Sequence, residues 1–402
     1  MSEDQLQREA RHRGRSLKRH SALRLLLICS VAVALVIGLG SVFFYRHLND
    51  NITFLNIDSQ IGDRPDKIAP GDPINVLIMG SDSRGGDEGV DQMENGGARS
   101  DTTILMHLSS DRKFAYGVSL PRDAIVDRPT CKTKDGDVPG ESDVMFNTAF
   151  YYGGVACTVK TVESLTGVKV DHWVVVNFNG FKDMVDAIGG VEVCVPHAID
   201  DNQYKMHLKA GVQKIKGQAA LDYVRVRHGF GDGSDIGRMK RQQSFLASMA
   251  ARVVSAGTLT RVDRLVRFLD AATKSLALDT GVGNVLSLAK LGNQFRSIGL
   301  DNIQFITVPW QWYEPDPNRI VWDTKLSNRL WDKVRHDQPL TRRLSADAIS
   351  AEQESSPGST PTSGSTGDPS DPTTSTSPTT GSTSPSSNAS DAAEAEANGL
   401  CT

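Results

Sequence analysis

A chain of 402 residues with 44 basic and 48 acidic side chains carries a net charge of −4, which excludes a nucleic-acid binder on bulk electrostatics. The charge is unevenly spread. Residues 1–24 hold seven Lys or Arg against three acids, residues 346–402 hold eight acids and no basic residue, and the stretch between is neutral overall. Any anion site must therefore be local.

From Ala22 to Tyr45 the sequence is almost unbroken apolar, interrupted only by Arg24. About 20 apolar residues span a bilayer as helix, and a cleavable signal would have a shorter apolar region of about 7–15 residues. The reading is a membrane anchor over 22–45. Its basic flank, residues 1–21, stays in the cytoplasm by the positive-inside rule, and everything after Arg46 is exported. Phe43, Phe44 and Tyr45 suit the outer interface.

Residues 46–73 have little periodicity and read as a connector to a domain over 74–340. Inside it, β-branched runs predict strands at Asn75–Met79, Thr102–Leu108, Phe114–Ser119, His172–Phe178, Val191–Val195 and Ile303–Val308. Helical spacing covers Val155–Thr166, Phe181–Ile188, Ile236–Ala256, Leu265–Leu278 and Val285–Phe295, with Gly167, Gly189 and Gly257 where helix ends want them. Interleaved strands and helices predict an α/β domain, a mixed central β-sheet flanked by helices on both faces. Residues 341–402 are Ser/Thr/Pro-rich and acidic, a composition that predicts disorder.

Export permits disulfides. Cys131 and Cys157 enclose about 25 residues, a favourable loop for a bridge. Cys194, in the apolar run GGVEVCVP, reads as a free buried thiol.

Two clusters carry chemistry. In the first, strand NVLIMG leads to Ser81-Asp82-Ser83-Arg84, then Arg99-Ser100-Asp101 opens the next strand, and a third strand exits at Pro121-Arg122-Asp123. Antiparallel pairing in sequence order brings Asp82, Arg84, Arg99, Asp101 and Arg122 to one end of the sheet. Two carboxylates among guanidiniums suit a hard divalent cation and a phosphate; the bland alternative is solvated loop charges pairing with one another. In the second, Tyr223-Val224-Arg225-Val226-Arg227-His228 reads as extended, placing Arg225 and Arg227 on one face. A Gly-rich turn and a helix start near Ser234/Asp235 follow, with Arg238 and Gln242 on one helical face. A helix N-terminus is itself an anion site, so this cluster fits a pyrophosphate.

Other motifs are absent or misplaced. The glycines of GFGDGSDIG do not space as GxGxxG, no Walker sequence or GxSxG elbow occurs, and the SxxK at 110–113 lies in a strand turn. The nine histidines lack metal-ligand spacing, so zinc is not expected.

The series GSDSR at 80–84, RSDTTILMHL at 99–108, SLPRD at 119–123, FNTAFYYGG at 146–154, DHWVVVNFNGFKDMVDAIGGVEV at 171–193 and ALDYVRVRHGFGDGSDIGRMKRQQ at 220–243 resembles the LytR–CpsA–Psr family. The resemblance implies a phosphotransferase that moves a glycopolymer from a polyprenyl-pyrophosphate carrier to peptidoglycan. It implies Mg²⁺ or Mn²⁺ on Asp82 and Asp101, and pyrophosphate on Arg99, Arg122, Arg225, Arg227, Arg238 and Gln242, with Arg84 a further candidate. The acceptor it implies is a muramic acid 6-hydroxyl, and no nucleophilic Ser or Cys is required. Asp101 and Asp123 are the candidates for a general base. The competing readings are a non-catalytic protein that binds the phosphorylated lipid, and a pyrophosphatase acting on lipid carriers.

Overall fold

The structure, a computed structural model, describes residues 3–82, 87–201, 206–226, 234–255 and 261–350. It divides between Asn51 and Ile52 into two compact units. The first is a single helix, α1 (Glu3–Asn51), of which Arg24–Asn51 is long and apolar enough to cross a membrane. Leu25, Leu26, Val36, Leu39 and Phe43 are exposed along it, as a lipid-facing surface requires. The expected tail of 1–21 continues the same helix from Glu3, because its Arg, Lys, Gln and Leu residues are good helix formers.

The second unit starts with β1 (Thr53–Leu55), α2 (Asp58–Ile61), β2 (Ile74–Ser81), α3 (Asp87–Asn95), β3 (Ser100–Leu108) and β4 (Ala115–Leu120). Then come β5 (Ala124–Arg128), β6 (Cys131–Thr133), β7 (Gly136–Val138), β8 (Glu141–Met145), α4 (Thr148–Thr166), β9 (His172–Asn177) and α5 (Phe178–Ala187). Next are β10 (Val191–Val195), β11 (Ile199–Asp201), β12 (Met206–Leu208), β13 (Gly211–Ile215), α6 (Gly217–Arg225), α7 (Asp235–Ser255) and α8 (Val262–Ser275). The last are β14 (Leu276–Asp279), α9 (Val285–Ile298), β15 (Ile303–Thr307), β16 (Trp310–Trp312), β17 (Ile320–Trp322), α10 (Thr324–Arg335) and β18 (Ile349–Ser350).

The main sheet has the order β1-β14-β9-β2-β3-β4-β15-β18. The β2–β3 and β3–β4 pairs are antiparallel, while β2–β9 and β4–β15 are parallel. Side chains alternate across a strand, and here both faces are covered. Leu77, Met79, Leu105 and Val118 pack with Val155, Val159 and Val162 of α4 and with Leu330 and Trp331 of α10. Val76, Ile104 and Met106 pack oppositely with Ala247 of α7 and Ile298 of α9. This is why the strands read as nearly continuous apolar runs. A third cluster joins β10 and β13 to α5, α6 and α7 through Val185, Val193, Tyr223 and Phe245.

Three readings are corrected. The connector is not featureless: β1 pairs in parallel with β14 at the edge of the main sheet. The helix expected over Leu265–Leu278 stops at Ser275, and Leu276–Asp279 become β14, filling the place between β9 and β1. The apolar LALD suits either state, and the open sheet edge decides. Cys131 and Cys157 are bridged as expected, with Cα atoms 5.2 Å apart. Cys194, by contrast, is disulfide-bonded rather than a free thiol. Gly167 and Gly189 follow α4 and α5 as expected, whereas Gly257 lies outside the described residues.

Candidate active site

β2, β3 and β4 pair antiparallel in sequence order, so the Ser81–Arg99 loop and the Leu120–Asp123 exit meet at one end of the main sheet. A bulge between Gly80 and Ser81 turns the end of β2. Beyond it, Asp82 Oδ1 accepts the Arg99 backbone N–H at 2.8 Å. The loop that delivers Arg99 is held against α4 by two glycines. A Cβ on Gly96 would strike the Tyr151 carbonyl, and one on Gly154 the Met93 carbonyl, and both glycines have positive φ. α4 is kinked at Gly153 and Gly154 to receive it.

Arg122 is the centre of the site. Its Nη1 donates to Asp101 Oδ1, and its Nε lies 3.4 Å from Asp235 Oδ2 and 3.7 Å from Asp123 Oδ2. Burial by itself would make this guanidinium easier to deprotonate; the carboxylates of Asp235, Asp101 and Asp123 outweigh that and raise its pKa. Arg238, on the first turn of α7, donates to Asp235 Oδ2 at 2.7 Å. Burial pushes the Arg238 pKa down, only partly offset by Asp235. Burial, and next the neighbouring Asp235, raises the Asp123 pKa against the pull of Arg122 and of Arg319, whose Nη1 is 3.8 Å away. The Nε groups of both Arg122 and Arg238 are buried and make no hydrogen bond among the described residues. Buried donors normally find an acceptor, so these two N–H groups suit the oxygens of an anion.

The remaining predicted residues are placed as follows. Arg99 is exposed, its guanidinium carbon 5.7 Å above the Tyr151 ring. Arg225 is not in an extended segment: α6 runs through it, and only at Val226 does the backbone become extended. Its guanidinium carbon lies 4.5 Å over the Phe178 ring, a cation–π arrangement. Phe178 follows Asn177, the register partner of Ser81, so Arg225 belongs to the same end of the sheet as Asp82. Gln242 is buried and donates to the Val224 carbonyl at 2.9 Å, fastening α7 to the end of α6. Arg84 and Arg227 lie outside the described residues.

Sequence reasoning missed Asp235, Tyr151 and Arg319. The helix start reads in sequence as an anion site in its own right, yet its first turn carries an acid that favours the same position. Ser234 caps α7 there, its Oγ accepting the Gly237 N–H at 3.0 Å.

Asp82 and Asp101 are the carboxylates that could hold a metal. Among the described residues there is no group of three or more His, Cys, Asp or Glu side chains suited to one. Mg²⁺ needs no such cage, because it is commonly bound through one or two carboxylates with water and substrate phosphate completing the shell. Asp82 is exposed and commits Oδ1 to Arg99, and Asp101 commits Oδ1 to Arg122. A pair of hard oxygen donors beside guanidiniums fits a metal that arrives with a phosphorylated ligand.

Comparison with known proteins identifies the family of the chain. The family described as LytR_cpsA_psr matches residues 47–335. The chain is 31% identical over 308 residues to the cell wall biosynthesis protein LcpA of Corynebacterium glutamicum, covering 70% of this chain and 58% of that protein. It therefore spans less than two thirds of that relative. It is 30% identical over 304 residues to TagT of Bacillus subtilis, a polyisoprenyl-teichoic acid–peptidoglycan teichoic acid transferase, covering 72% of this chain and 88% of TagT. In fold it is similar to the solved LytR-Csp2A-Psr enzyme from Actinomyces oris, with a TM-score of 0.53 at 21% identity over 71% of this chain and 96% of that one. With the motif string in order and the family matched from the end of α1 to the end of α10, the chain belongs to the LytR–CpsA–Psr family.

Proposed function

We propose that this protein is a metal-dependent phosphotransferase that moves a phosphate-linked glycopolymer from a polyprenyl-pyrophosphate carrier to peptidoglycan. The observation that supports the reading is the pair of buried guanidiniums of Arg122 and Arg238, held side by side by Asp235, whose Nε–H groups make no hydrogen bond among the described residues. The names of relatives such as TagT supply the substrate class. Asp82 and Asp101 would hold a Mg²⁺ or Mn²⁺ ion, which supplies positive charge to the pyrophosphate oxygens. Arg122, Arg238, Arg99 and Arg225 orient the same oxygens and stabilise the charge that develops on the leaving polyprenyl phosphate.

An acceptor hydroxyl on peptidoglycan attacks the phosphorus that bears the sugar. The new O–P bond forms, the P–O bond to the polyprenyl phosphate breaks, and the hydroxyl proton passes to a carboxylate. Asp123 suits that role better than Asp101, which is held by Arg122. Burial and Asp235 raise the proton affinity of Asp123, and a raised carboxylate is a better base near neutral pH. The basic segment before α1's apolar stretch supports an orientation with residues 1–21 in the cytoplasm and the second unit outside.

Incubating the full chain with a polyprenyl-pyrophosphate-linked glycopolymer and peptidoglycan tests this. Polymer covalently joined to peptidoglycan, lost with chelator and in Asp82→Asn or Asp101→Asn, is the expected product. Released polymer phosphate without transfer indicates a pyrophosphatase, and binding without turnover a carrier-binding protein; either overturns the proposal.

A further inference from the structure

Within the second unit, the large aromatic side chains that stand exposed among the described residues are Tyr151, Tyr152 and Trp312. α4 and the β16–β17 hairpin, which carry them, are both tied to the Arg122–Ala124 segment. α4, with both tyrosines, is tied on one side by the Asn147 N–H donating to the Arg122 carbonyl at 3.0 Å. Trp312 comes from the opposite side, in a region to which the sequence motifs assign no role.

Its placement follows from the small sheet of order β16-β17-β5-β8. Ile320 of β17 is the parallel partner of Ala124, the residue after Asp123, and Trp312 is the antiparallel partner of Ile320. Trp312 therefore lies two strand spacings, about 9–10 Å, from Ala124. The hairpin leaves β15 beside the exit of β4: Thr307 is the partner of Ser119, and the Val308 N–H donates to the Ser119 carbonyl at 3.1 Å.

The hairpin is stiff. Asp316 and Arg319 close its turn through backbone hydrogen bonds, and Tyr313 N–H reaches the Arg319 carbonyl at 3.0 Å. Trp310 stands edge-on to Trp312 with ring centroids 5.2 Å apart, fixing the exposed indole. Trp312 nevertheless remains 58% exposed, whereas Trp173 and Trp331 are buried. A rigid indole with one face in water, close to the candidate site, suits a stacking contact. The hairpin turn that follows it is polar, with Glu314, Asp316 and Arg319, and Arg319 also contacts Asp123.

We infer that the β16–β17 hairpin is the subsite for the glycan strand of the acceptor, with Trp312 stacking on the C–H face of a sugar ring and the turn residues bonding its hydroxyls. The inference rests on the transfer reading above. Two acids against one arginine at the tip disfavour both an anionic polymer and an anionic lipid surface. The uncharged C–H face and hydroxyl rim of an amino-sugar strand meet no such penalty. The hairpin also borders Asp123, the carboxylate assigned to the acceptor's proton.

The test uses the full chain in detergent with the lipid-linked donor and soluble peptidoglycan glycan fragments. Trp312→Ala should raise the acceptor KM on the order of tenfold while the donor KM moves less than about twofold, and Trp312→Phe should restore most of the loss. An unchanged acceptor KM, or a parallel rise in donor KM, overturns the subsite. Loss of binding to anionic vesicles at unchanged acceptor KM assigns the indole to the membrane instead and likewise overturns it. Titrating the same glycan fragments and following tryptophan fluorescence separates the two readings. Glycan-dependent quenching lost in Trp312→Phe without any transfer by the unaltered protein upholds the subsite and sinks the transferase; normal transfer by Trp312→Ala does the reverse.

Discussion

Arg122 Nε lies 3.4 Å from Asp235 Oδ2, joining the exit of β4 to the first turn of α7 through one ion pair. The two residues are 113 positions apart in sequence, and the same carboxylate oxygen also receives Arg238 at 2.7 Å. Asp235 thus holds two arginines side by side, and Asp101 and Asp123 also flank Arg122. An anion entering here meets guanidiniums already oriented, and orientation is what phosphoryl transfer requires.

Removing Arg122 leaves Asp101, Asp123 and Asp235 facing one another without their shared cation. Arg122→Ala is expected to cost about 2–4 kcal/mol at neutral pH and to abolish transfer. Denaturant unfolding should show the deficit shrinking as acid protonates the three carboxylates. A deficit that does not change with pH would mean that Arg122 acts by packing alone.

Asp337 offers a second electrostatic test away from the site. It receives hydrogen bonds from the Ser110 N–H at 3.0 Å and the Ser110 hydroxyl at 2.6 Å, and lies 3.1 Å from His107 Nε2. Burial opposes its ionisation, but these partners outweigh burial and bring its pKa down to about 2. A carboxylate depressed in the folded state stabilises above its unfolded pKa of about 3.9 and loses that contribution as pH falls towards the folded value. The stability gap between the native chain and Asp337→Asn should therefore be full above about pH 5 and close between about pH 4 and pH 2. Melting curves across that range measure it.

The cysteines predict a thiol pattern. Cys194 should resist alkylation in the denatured, unreduced protein, while Cys29 reacts, since Cys29 is free and Cys194 is bonded. Cys157→Ser, which opens the bridge to Cys131 across a separation of 26 residues, should cost about 2–4 kcal/mol. Peptide mapping and thermal unfolding check the two parts independently.

Much of the fold was legible because the main sheet is covered on both faces. Strands such as Ile74–Ser81 and Ala115–Leu120 can only be apolar runs there, and short turns force β2, β3 and β4 to pair in order. That topology alone brought Asp82, Arg99, Asp101 and Arg122 together. The rest depended on partners remote in sequence. The β16–β17 hairpin becomes part of a sheet only through β5, nearly 200 residues earlier. Val224-Arg225-Val226 alternates like a strand, but Ala220 and Tyr223 have a helical place in the third apolar cluster, and the helix persists to Arg225. Asp235 was missed for a different reason. Its position invites an anion, and the chain supplies its own.

Arg225 yields the last prediction. Two arginines on one extended face would repel, so removing either would relieve an empty site. Arg225 instead ends α6, where a cation is favoured by the helix dipole, and rests 4.5 Å over Phe178. Being exposed, it contributes little to stability, so Arg225→Ala should shift unfolding by no more than about 0.5 kcal/mol in either direction. In the proposed function it acts on the ligand. One lost charge-assisted contact should weaken pyrophosphate-lipid binding roughly ten- to hundredfold. Arg225→Lys keeps the charge but not the flat guanidinium that stacks on Phe178 and forks onto two oxygens, and should recover only part of the loss. Phe178→Leu discriminates further: it preserves Arg225 and removes its platform, so affinity should fall between the native chain and Arg225→Ala. Melting temperature and lipid affinity measured on the same three variants decide the matter. Variants that melt early yet bind normally once folded would make Arg225 a structural residue.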